Sequence, residues 1–205
     1  LMGGRADRAH LCTFHSFAGD VLRQHGSHVG IQPDFFMLTN DEDRIAVLEE
    51  VIGDLSCDTS ALPTDRKNLL FLMDRLFAES YNGELAAPWM TKTPPWIPLL
   101  FKAYCEKLQS SNRLDYGALL HFARLLLSSN VGVARLTRLA WQYISVDEFQ
   151  DTNKAQYDLL SLLSVGDRPN LFVVADDDQI IYQWNGASPE RLLALRSDFG
   201  MDVVQ

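Results

Sequence analysis

Two groups of polar side chains have the types and spacing that phosphate chemistry requires. Asp147 and Glu148 follow one short apolar run, and residues 176–178 (DDD) with Gln179 follow another. One carboxylate at such a place can hold Mg²⁺, which prefers hard oxygen ligands and keeps part of its hydration shell. A second carboxylate beside it can polarise the attacking water, and the Gln179 amide can contact a terminal phosphate. The residues therefore predict nucleotide hydrolysis.

The segments around these side chains predict a strand, a helix and a second strand. Residues 143–146 and 171–174 are short β-rich runs, and the apolar residues between them have helical spacing, with Thr152 as the expected N-cap. Strand, helix and strand within about thirty residues predict a βαβ unit with parallel strands. Polar groups just past the carboxyl ends of such strands line the ligand crevice. We therefore expect both acidic groups at one edge of the sheet.

Acidic residues after strands have a second common explanation, because Asp and Asn are frequent turn formers. A single Asp-Glu pair would fit that explanation well, since short motifs often match by chance. Two acidic groups at the ends of neighbouring strands favour the nucleotide site instead.

Three stretches carry a resemblance to a known family. The sequence VDEFQDTN at residues 146–153 resembles motif II (the Walker B element) of the UvrD/Rep-type superfamily-one DNA helicases. VADDDQIIYQWNGA at residues 174–187 resembles their motif III, and TFHSF at residues 13–17 resembles their motif Ib. The resemblance implies an α/β fold: a partial P-loop NTPase (RecA-like) parallel sheet with an all-α insertion subdomain.

The resemblance also implies a function and the division of the chain. It implies an ATP-dependent DNA helicase or translocase that uses ATP and Mg²⁺ and acts on single-stranded DNA and single-strand/duplex junctions, in repair or recombination. The remaining helicase domains of the same polypeptide would be its partners. Residues 1–26 would belong to the RecA-like domain, residues 27–130 to the helical insertion, and residues 131–205 again to the RecA-like domain.

At the nucleotide site the resemblance implies a role for each polar side chain. Asp147 would hold the magnesium ion, Glu148 would be the catalytic base, and Gln179 would contact the γ-phosphate. Gln150 and Asp151 would join the nucleotide-binding residues and couple them to neighbouring segments.

On the DNA side the resemblance assigns contacts to Thr13, Phe14 and His15, and to Tyr182 and Trp184, because an aromatic face can stack on any base. His15 can equally be a hydrogen-bonding histidine that fixes the start of a helix, and Trp184 can be a core residue. The segment that begins at Asp115 and Tyr116 resembles a further short motif of the family, although helix capping explains Asp115 equally well.

The chain departs from the family pattern at four positions. Cys12 and Ala175 stand where glycine is common, Ile180 where serine is common, and Asn185 where arginine is common. The last change removes a cation next to the expected stacking tryptophan.

Length and composition limit the class of protein. The chain has 205 residues, 47% hydrophobic and 22% charged, as in ordinary soluble domains. No apolar run approaches the roughly 20 residues that span a bilayer, and no signal pattern opens the sequence. Three scattered cysteines at positions 12, 57 and 105 argue against a disulfide framework, so we expect a cytoplasmic protein.

A net charge of −9 argues against a protein that coats phosphates, because non-specific DNA affinity comes mainly from Lys and Arg. We therefore expect a narrow, largely aromatic DNA path, or a basic surface on other parts of the polypeptide. The sequence contains no GxxxxGK[ST] loop, which supplies the backbone cradle and lysine for the phosphates. We expect little ATPase activity from these 205 residues alone.

Two other functions fit parts of the sequence. A non-catalytic helicase-like module that binds DNA or protein would explain the missing loop and the departures in motif III, but it has no chemical need for both Asp147 and Glu148. A metal-dependent nuclease could use the same acids, but no further carboxylate, His or Lys has a recognisable nuclease spacing.

Overall fold

The structure, a computed structural model, describes residues 9–55, 62–82, 94–165, 170–176 and 189–202. Within these ranges the chain forms mainly α-helices, together with four short β-strands. The elements are α1 (Phe14–His25), β1 (Phe36–Met37), α2 (Asp41–Asp54), α3 (Arg66–Ala78), α4 (Trp96–Ser110), β2 (Arg113–Leu114), α5 (Tyr116–Ser129), α6 (Val131–Ala140), β3 (Ile144–Val146), α7 (Lys154–Leu163), β4 (Leu171–Val173) and α8 (Pro189–Phe199).

The predicted βαβ unit is present. Strands β3 and β4 pair in parallel with Val146 opposite Val173, and helix α7 lies between them in the sequence. The Val174 N–H donates to the Val146 carbonyl at 2.9 Å and so extends the ladder beyond β4. The two strands therefore end side by side, which brings the residues that follow them to one edge.

Polar side chains cap several of the helices, and the cap predicted at Thr152 is wrong by one residue. Asn40 accepts the first-turn N–H of α2 from Asp43 at 2.8 Å. Asn153, rather than Thr152, caps α7 in a reciprocal capping box. Thr152 is not available for this role, because its hydroxyl donates to the Phe149 carbonyl at 2.7 Å and closes the preceding turn.

The described part of residues 27–130, for which we expected an all-α insertion, is not purely helical. Strands β1 and β2 form a two-residue parallel pair, held by the Phe36 N–H on the Asn112 carbonyl at 2.9 Å and the Leu38 N–H on the Leu114 carbonyl at 2.8 Å. A pair this short has no period-2 pattern that a sequence could display. The prediction of an all-α insertion is wrong in this detail.

The segment just before α1 is not a strand. Leu11 is fully exposed, and Thr13 is the N-cap of α1.

Buried apolar side chains form two clusters. The larger one unites the helical part of the chain around residues such as Leu22, Met73 and Leu100. The smaller one lies on β3 and β4 and contains Val146, Phe149, Leu160, Leu195 and Phe199. Partly buried Phe14 packs against both clusters, so the start of α1 joins the helical core to the sheet.

Helix α5 is the central helix and contacts α1, α3, α6 and α7. Gly117, in its first turn, lies so close to α3 that an added Cβ would come within 2.4 Å of the Phe77 ring. The missing side chain is what allows this approach. Among the described helices none alone is long and apolar enough to cross a membrane, and α5 with α6 passes that test only as a pair bent by 107°.

Candidate nucleotide and nucleic-acid site

The acidic segment folds across the ends of β3 and β4. Asp147 and Glu148 are exposed immediately after β3, whereas Phe149 is buried in the smaller cluster. The Phe149 N–H donates to the Val174 carbonyl at 3.0 Å, and the Asp151 N–H donates to the Glu148 carbonyl at 3.0 Å. The buried ring and these bonds hold both carboxylates at the carboxyl edge of the strand pair, where a ligand crevice is expected.

Glu148 has an unusual backbone conformation. Its φ is +50° and its ψ is +43°, which is the left-handed region that non-glycine residues seldom occupy. Its N–H donates to Asp147 Oδ1 at 3.1 Å. The conformation costs on the order of 1 kcal/mol, and such strain is concentrated at functional sites. It turns the Glu148 side chain away from the direction that an extended strand would give it.

Gln150 links the two acidic groups. Its side chain is buried, with 3% of the residue exposed. Nε2 donates to Glu148 Oε2 at 2.6 Å, and Oε1 accepts the Asp176 N–H at 3.1 Å. The expectation that the residues after the two strands meet at one edge is confirmed through Asp176. Asp177, Asp178 and Gln179 lie outside the described residues.

The residues after Gln150 connect the site to α7 and α8. Arg191 on α8 donates from Nη2 to the Thr152 carbonyl at 3.3 Å. The Asp151 Oδ1 atom is buried and has no hydrogen-bond partner among the described residues. Buried polar atoms are nearly always paired in native proteins, but the described residues supply no donor to this one.

The residues at this edge fit a magnesium ion held mainly by water and phosphate oxygens. Asp147 presents an exposed carboxylate at the strand end, which is the kind of hard ligand that Mg²⁺ takes one or two of. Among the described residues no three His, Cys, Asp or Glu side chains converge as a metal cluster. A magnesium ion with a bound nucleotide needs no such cluster.

The upstream motif lies at the start of α1. Thr13 is exposed and caps the helix, accepting the Ser16 N–H at 3.1 Å. Phe14 is partly buried between the two apolar clusters. His15 is half-buried and meets Tyr116 edge to face, with ring centroids 5.7 Å apart. Burial lowers the pKa of His15 below its usual value, so the imidazole is neutral near pH 7.

A groove of about 620 Å³ lies next to His15. Tyr116 stands on one side, with 53% of its surface exposed, and Phe71 of α3 is 60% exposed and also lines the groove. The groove reaches Asn153, the last residue of the VDEFQDTN motif. The structure therefore connects the predicted DNA motif with the end of the predicted nucleotide motif.

Sequence reasoning missed Phe71 and its groove neighbour Arg75. Phe71 lies off the apolar face of α3 that the helical spacing defines. A large aromatic residue at such a position could have indicated this groove from the sequence. Of the other expected contacts, Tyr182 and Trp184 lie outside the described residues, as do the departures Ile180 and Asn185. Ala175 is described and is exposed just before Asp176.

A buried ion-pair network holds the start of α5, next to Tyr116. Asp115 is 1% exposed, caps α5 through the Ala118 N–H at 2.8 Å, and accepts the Tyr104 hydroxyl at 2.9 Å. Arg44 Nε lies 3.3 Å from the same carboxylate and also pairs with Asp74. Burial alone would lower the pKa of Arg44, but the Asp115 and Asp74 carboxylates raise it above its ordinary value. Capping is thus the observed role of Asp115.

Comparison with known proteins agrees with these motifs. A sequence model of the UvrD/REP helicase N-terminal domain matches residues 1–200. The chain is similar to the ATP-dependent DNA helicase Rep of Escherichia coli (strain K12), with 33% identity over 194 residues that cover 92% of this chain and 28% of that protein. It is also similar to the ATP-dependent DNA helicase PcrA of Leuconostoc citreum, with 31% identity over 192 residues, 91% of this chain and 25% of that protein.

A third relative is the probable DNA helicase II homolog of Mycoplasma capricolum subsp. capricolum, 30% identical over 186 residues that cover 89% of this chain and 26% of that protein. The chain thus spans about a quarter of the length of these relatives. With a match that runs through nearly all of its residues, the chain belongs to the UvrD/REP helicase N-terminal domain family.

Proposed function

We propose that this chain is part of an ATP-dependent DNA helicase that couples ATP hydrolysis to movement on single-stranded DNA and to duplex unwinding, in cytoplasmic DNA repair or recombination. The observation that carries the proposal is the acidic edge, where Gln150 bridges Glu148 and the Asp176 N–H, and Asp147 accepts the Glu148 N–H. Membership of the family and its similarity to proteins named ATP-dependent DNA helicase support it.

In the proposed reaction the exposed carboxylates have separate tasks. Asp147 holds Mg²⁺, which neutralises phosphate charge when bound, and Glu148 accepts the proton of the attacking water. Gln179 contacts the γ-phosphate from the segment after Asp176. The proposed reaction also needs a phosphate-binding loop and its lysine, and these 205 residues contain no GxxxxGK[ST] sequence.

We further propose that single-stranded DNA passes the groove beside α1. His15 and Tyr116 line the groove and offer an imidazole and a stacking face, and the exposed Thr13 caps the helix that carries His15. Stacking on aromatic rings tolerates any base, which suits a motor that moves along all sequences. Tyr182 and Trp184 would continue this path, and Phe14 would support it from the apolar side.

The division of the chain also remains a proposal. Residues 1–26 and 131–205 would form part of a RecA-like P-loop domain, and residues 27–130 its helical insertion. The parallel β3–β4 pair with α7 as its crossover is consistent with that fold.

An unwinding assay tests the proposal. A polypeptide that carries this segment together with a phosphate-binding loop is mixed with ATP, Mg²⁺ and fluorophore-quencher duplexes that have a single-stranded tail on either strand. We expect strand separation on one tail polarity, loss of it in Glu148→Gln, and reduced separation per ATP in Trp184→Ala. Binding of the tailed duplex without ATP-dependent separation would favour a non-catalytic binding module.

A further inference from the structure

We propose that Gln150 is a positioning residue that sets the Glu148 carboxylate against the segment beginning at Asp176, and that it does not bind the nucleotide itself. The inference rests on the proposed function, in which Glu148 is the catalytic base. It concerns how the carboxylate of that base is oriented, and it assigns the glutamine of the VDEFQDTN motif a task distinct from those of Asp147 and Glu148.

The partners of Gln150 determine which way its amide faces. A backbone N–H can only donate, so the atom facing Asp176 must be the carbonyl Oε1. The other end must then be the NH₂ group, and it faces a carboxylate, which can only accept when ionised. The two contacts, 3.1 Å and 2.6 Å long, therefore support a single orientation. A flipped amide would place two donors against each other and two acceptors against each other.

The position of Gln150 leaves little of it for a ligand. Only 3% of the residue is exposed, and both polar ends of its side chain are already occupied by the protein. Glu148 and Asp147, in contrast, are exposed. A nucleotide can thus reach the two carboxylates, whereas Gln150 acts on it only through Glu148.

The Gln150 side chain forms a bridge between Glu148, which follows β3, and Asp176, which follows β4. The backbone of Glu148 is in the left-handed region, and its carboxylate lies on an exposed side chain that would otherwise rotate freely. A short hydrogen bond to an ionised acceptor is stronger than a neutral one and restricts that rotation. A shift of the backbone at Asp176 would therefore be passed to the Glu148 carboxylate through one rigid amide.

Two substitutions separate the two ends of the bridge. Gln150→Glu keeps an acceptor for the Asp176 N–H but replaces the donor that faces Glu148 by a second carboxylate. Gln150→Met has nearly the same shape and removes both hydrogen bonds. Gln156→Glu is the matched control, because Gln156 is a nearby capping-box residue whose acceptor role on the Asn153 N–H a glutamate can also fill.

The first measurement needs no catalysis. Hydrogen exchange on the 205-residue chain is followed at the Asp176 amide. We expect that amide to exchange about fivefold faster in Gln150→Met, and at the parent rate in Gln150→Glu and Gln156→Glu, because one hydrogen bond contributes about 1 kcal/mol, which corresponds to about fivefold protection. Equal exchange in all four proteins would overturn the bridge, whether or not the protein is a motor.

The second measurement is single-stranded-DNA-stimulated ATP hydrolysis by the polypeptide that also carries a phosphate-binding loop. We expect Gln150→Met to lower kcat by about 10- to 100-fold, the usual effect of losing a residue that orients a reacting group, with KM for ATP nearly unchanged. In Gln150→Glu the donor that faces Glu148 is replaced by a second carboxylate, so we expect kcat to fall as well, although the Asp176 N–H keeps its acceptor.

The outcomes distinguish this inference from the proposed function. An active parent, an inactive Glu148→Gln and a Gln150→Met with parental kcat would overturn the positioning role and leave the motor standing. A parent without DNA-stimulated turnover would remove the proposed function, and the positioning role with it.

Discussion

We expect removal of the Asp115 carboxylate to lower the free energy of unfolding strongly. Its buried carboxylate caps α5, accepts the Tyr104 hydroxyl and pairs with Arg44, whose side chain is only 12% exposed. In Asp115→Ala the cap is lost, at about 1 kcal/mol. The Tyr104 hydroxyl loses its acceptor, at about 1–3 kcal/mol, and Arg44 keeps its charge with fewer partners. We expect a loss of about 3–5 kcal/mol in the free energy of unfolding, as for other broken buried pairs.

Urea unfolding of the chain, followed by circular dichroism at 222 nm, measures this loss. Asp65→Ala is the matched control, because Asp65 also caps a helix, α3, but is exposed and, among the described residues, accepts the Lys67 N–H alone. It should cost about 1 kcal/mol. Asp115→Asn, which keeps a cap and an acceptor but no charge, should fall between the two. Equal losses in Asp115→Ala and Asp65→Ala would refute the buried network as a source of stability.

Three further predictions concern other parts of the chain. Gly117→Ala forces a Cβ to within 2.4 Å of the buried Phe77 ring and should lower the free energy of unfolding by about 1–3 kcal/mol in the same urea titration. Gly53→Ala is the contrast: its added Cβ meets nothing within 4 Å, so the free energy of unfolding should rise by up to about 1 kcal/mol. Burial and, secondarily, Arg124 lower the pKa of His121 to about 4. The contribution of the neutral imidazole to the stability of the fold is therefore complete above the unfolded pKa of about 6.5, and it is lost as the pH falls from there towards 4. Stability measured across this window should fall by on the order of 3 kcal/mol more in the parent than in His121→Phe, and parallel curves would contradict the assignment. Tyr116→Ala should weaken binding of a labelled oligo(dT) by about 1–3 kcal/mol in fluorescence anisotropy. Tyr143→Ala, at an exposed position away from the groove, should leave that binding unchanged. Equal effects of the two substitutions would remove Tyr116 from the DNA path.

Local pattern predicted the elements that carry the motifs. The β-rich runs before Asp147 and Asp176, with helical spacing between them, led to the parallel pair. Capping, one of the two explanations of Asp115, is confirmed. The capping error at Thr152 arose because two neighbouring polar residues can each serve as a cap, and only the surrounding contacts decide between them.

Contacts between distant residues were not predictable in the same way. The Arg44–Asp115 pair joins residues far apart in the chain, and neither residue type nor spacing indicates such a partner. The Gln150 amide could be placed near the nucleotide from the motif, but its second contact at the Asp176 N–H depends on the register of β3 with β4. The β1–β2 pair is too short to leave a pattern at all. What the sequence lacks is therefore the packing that selects among compatible partners.

The most direct test of the central claim is single-stranded-DNA-stimulated ATP hydrolysis by a polypeptide that contains this chain and a phosphate-binding loop, compared with its Glu148→Gln variant. We expect magnesium-dependent turnover that DNA stimulates and that collapses in Glu148→Gln, with both proteins folded alike by circular dichroism. Turnover that is unaffected in Glu148→Gln, or absent from the parent with and without DNA, would contradict a nucleotide-driven motor built on Asp147 and Glu148.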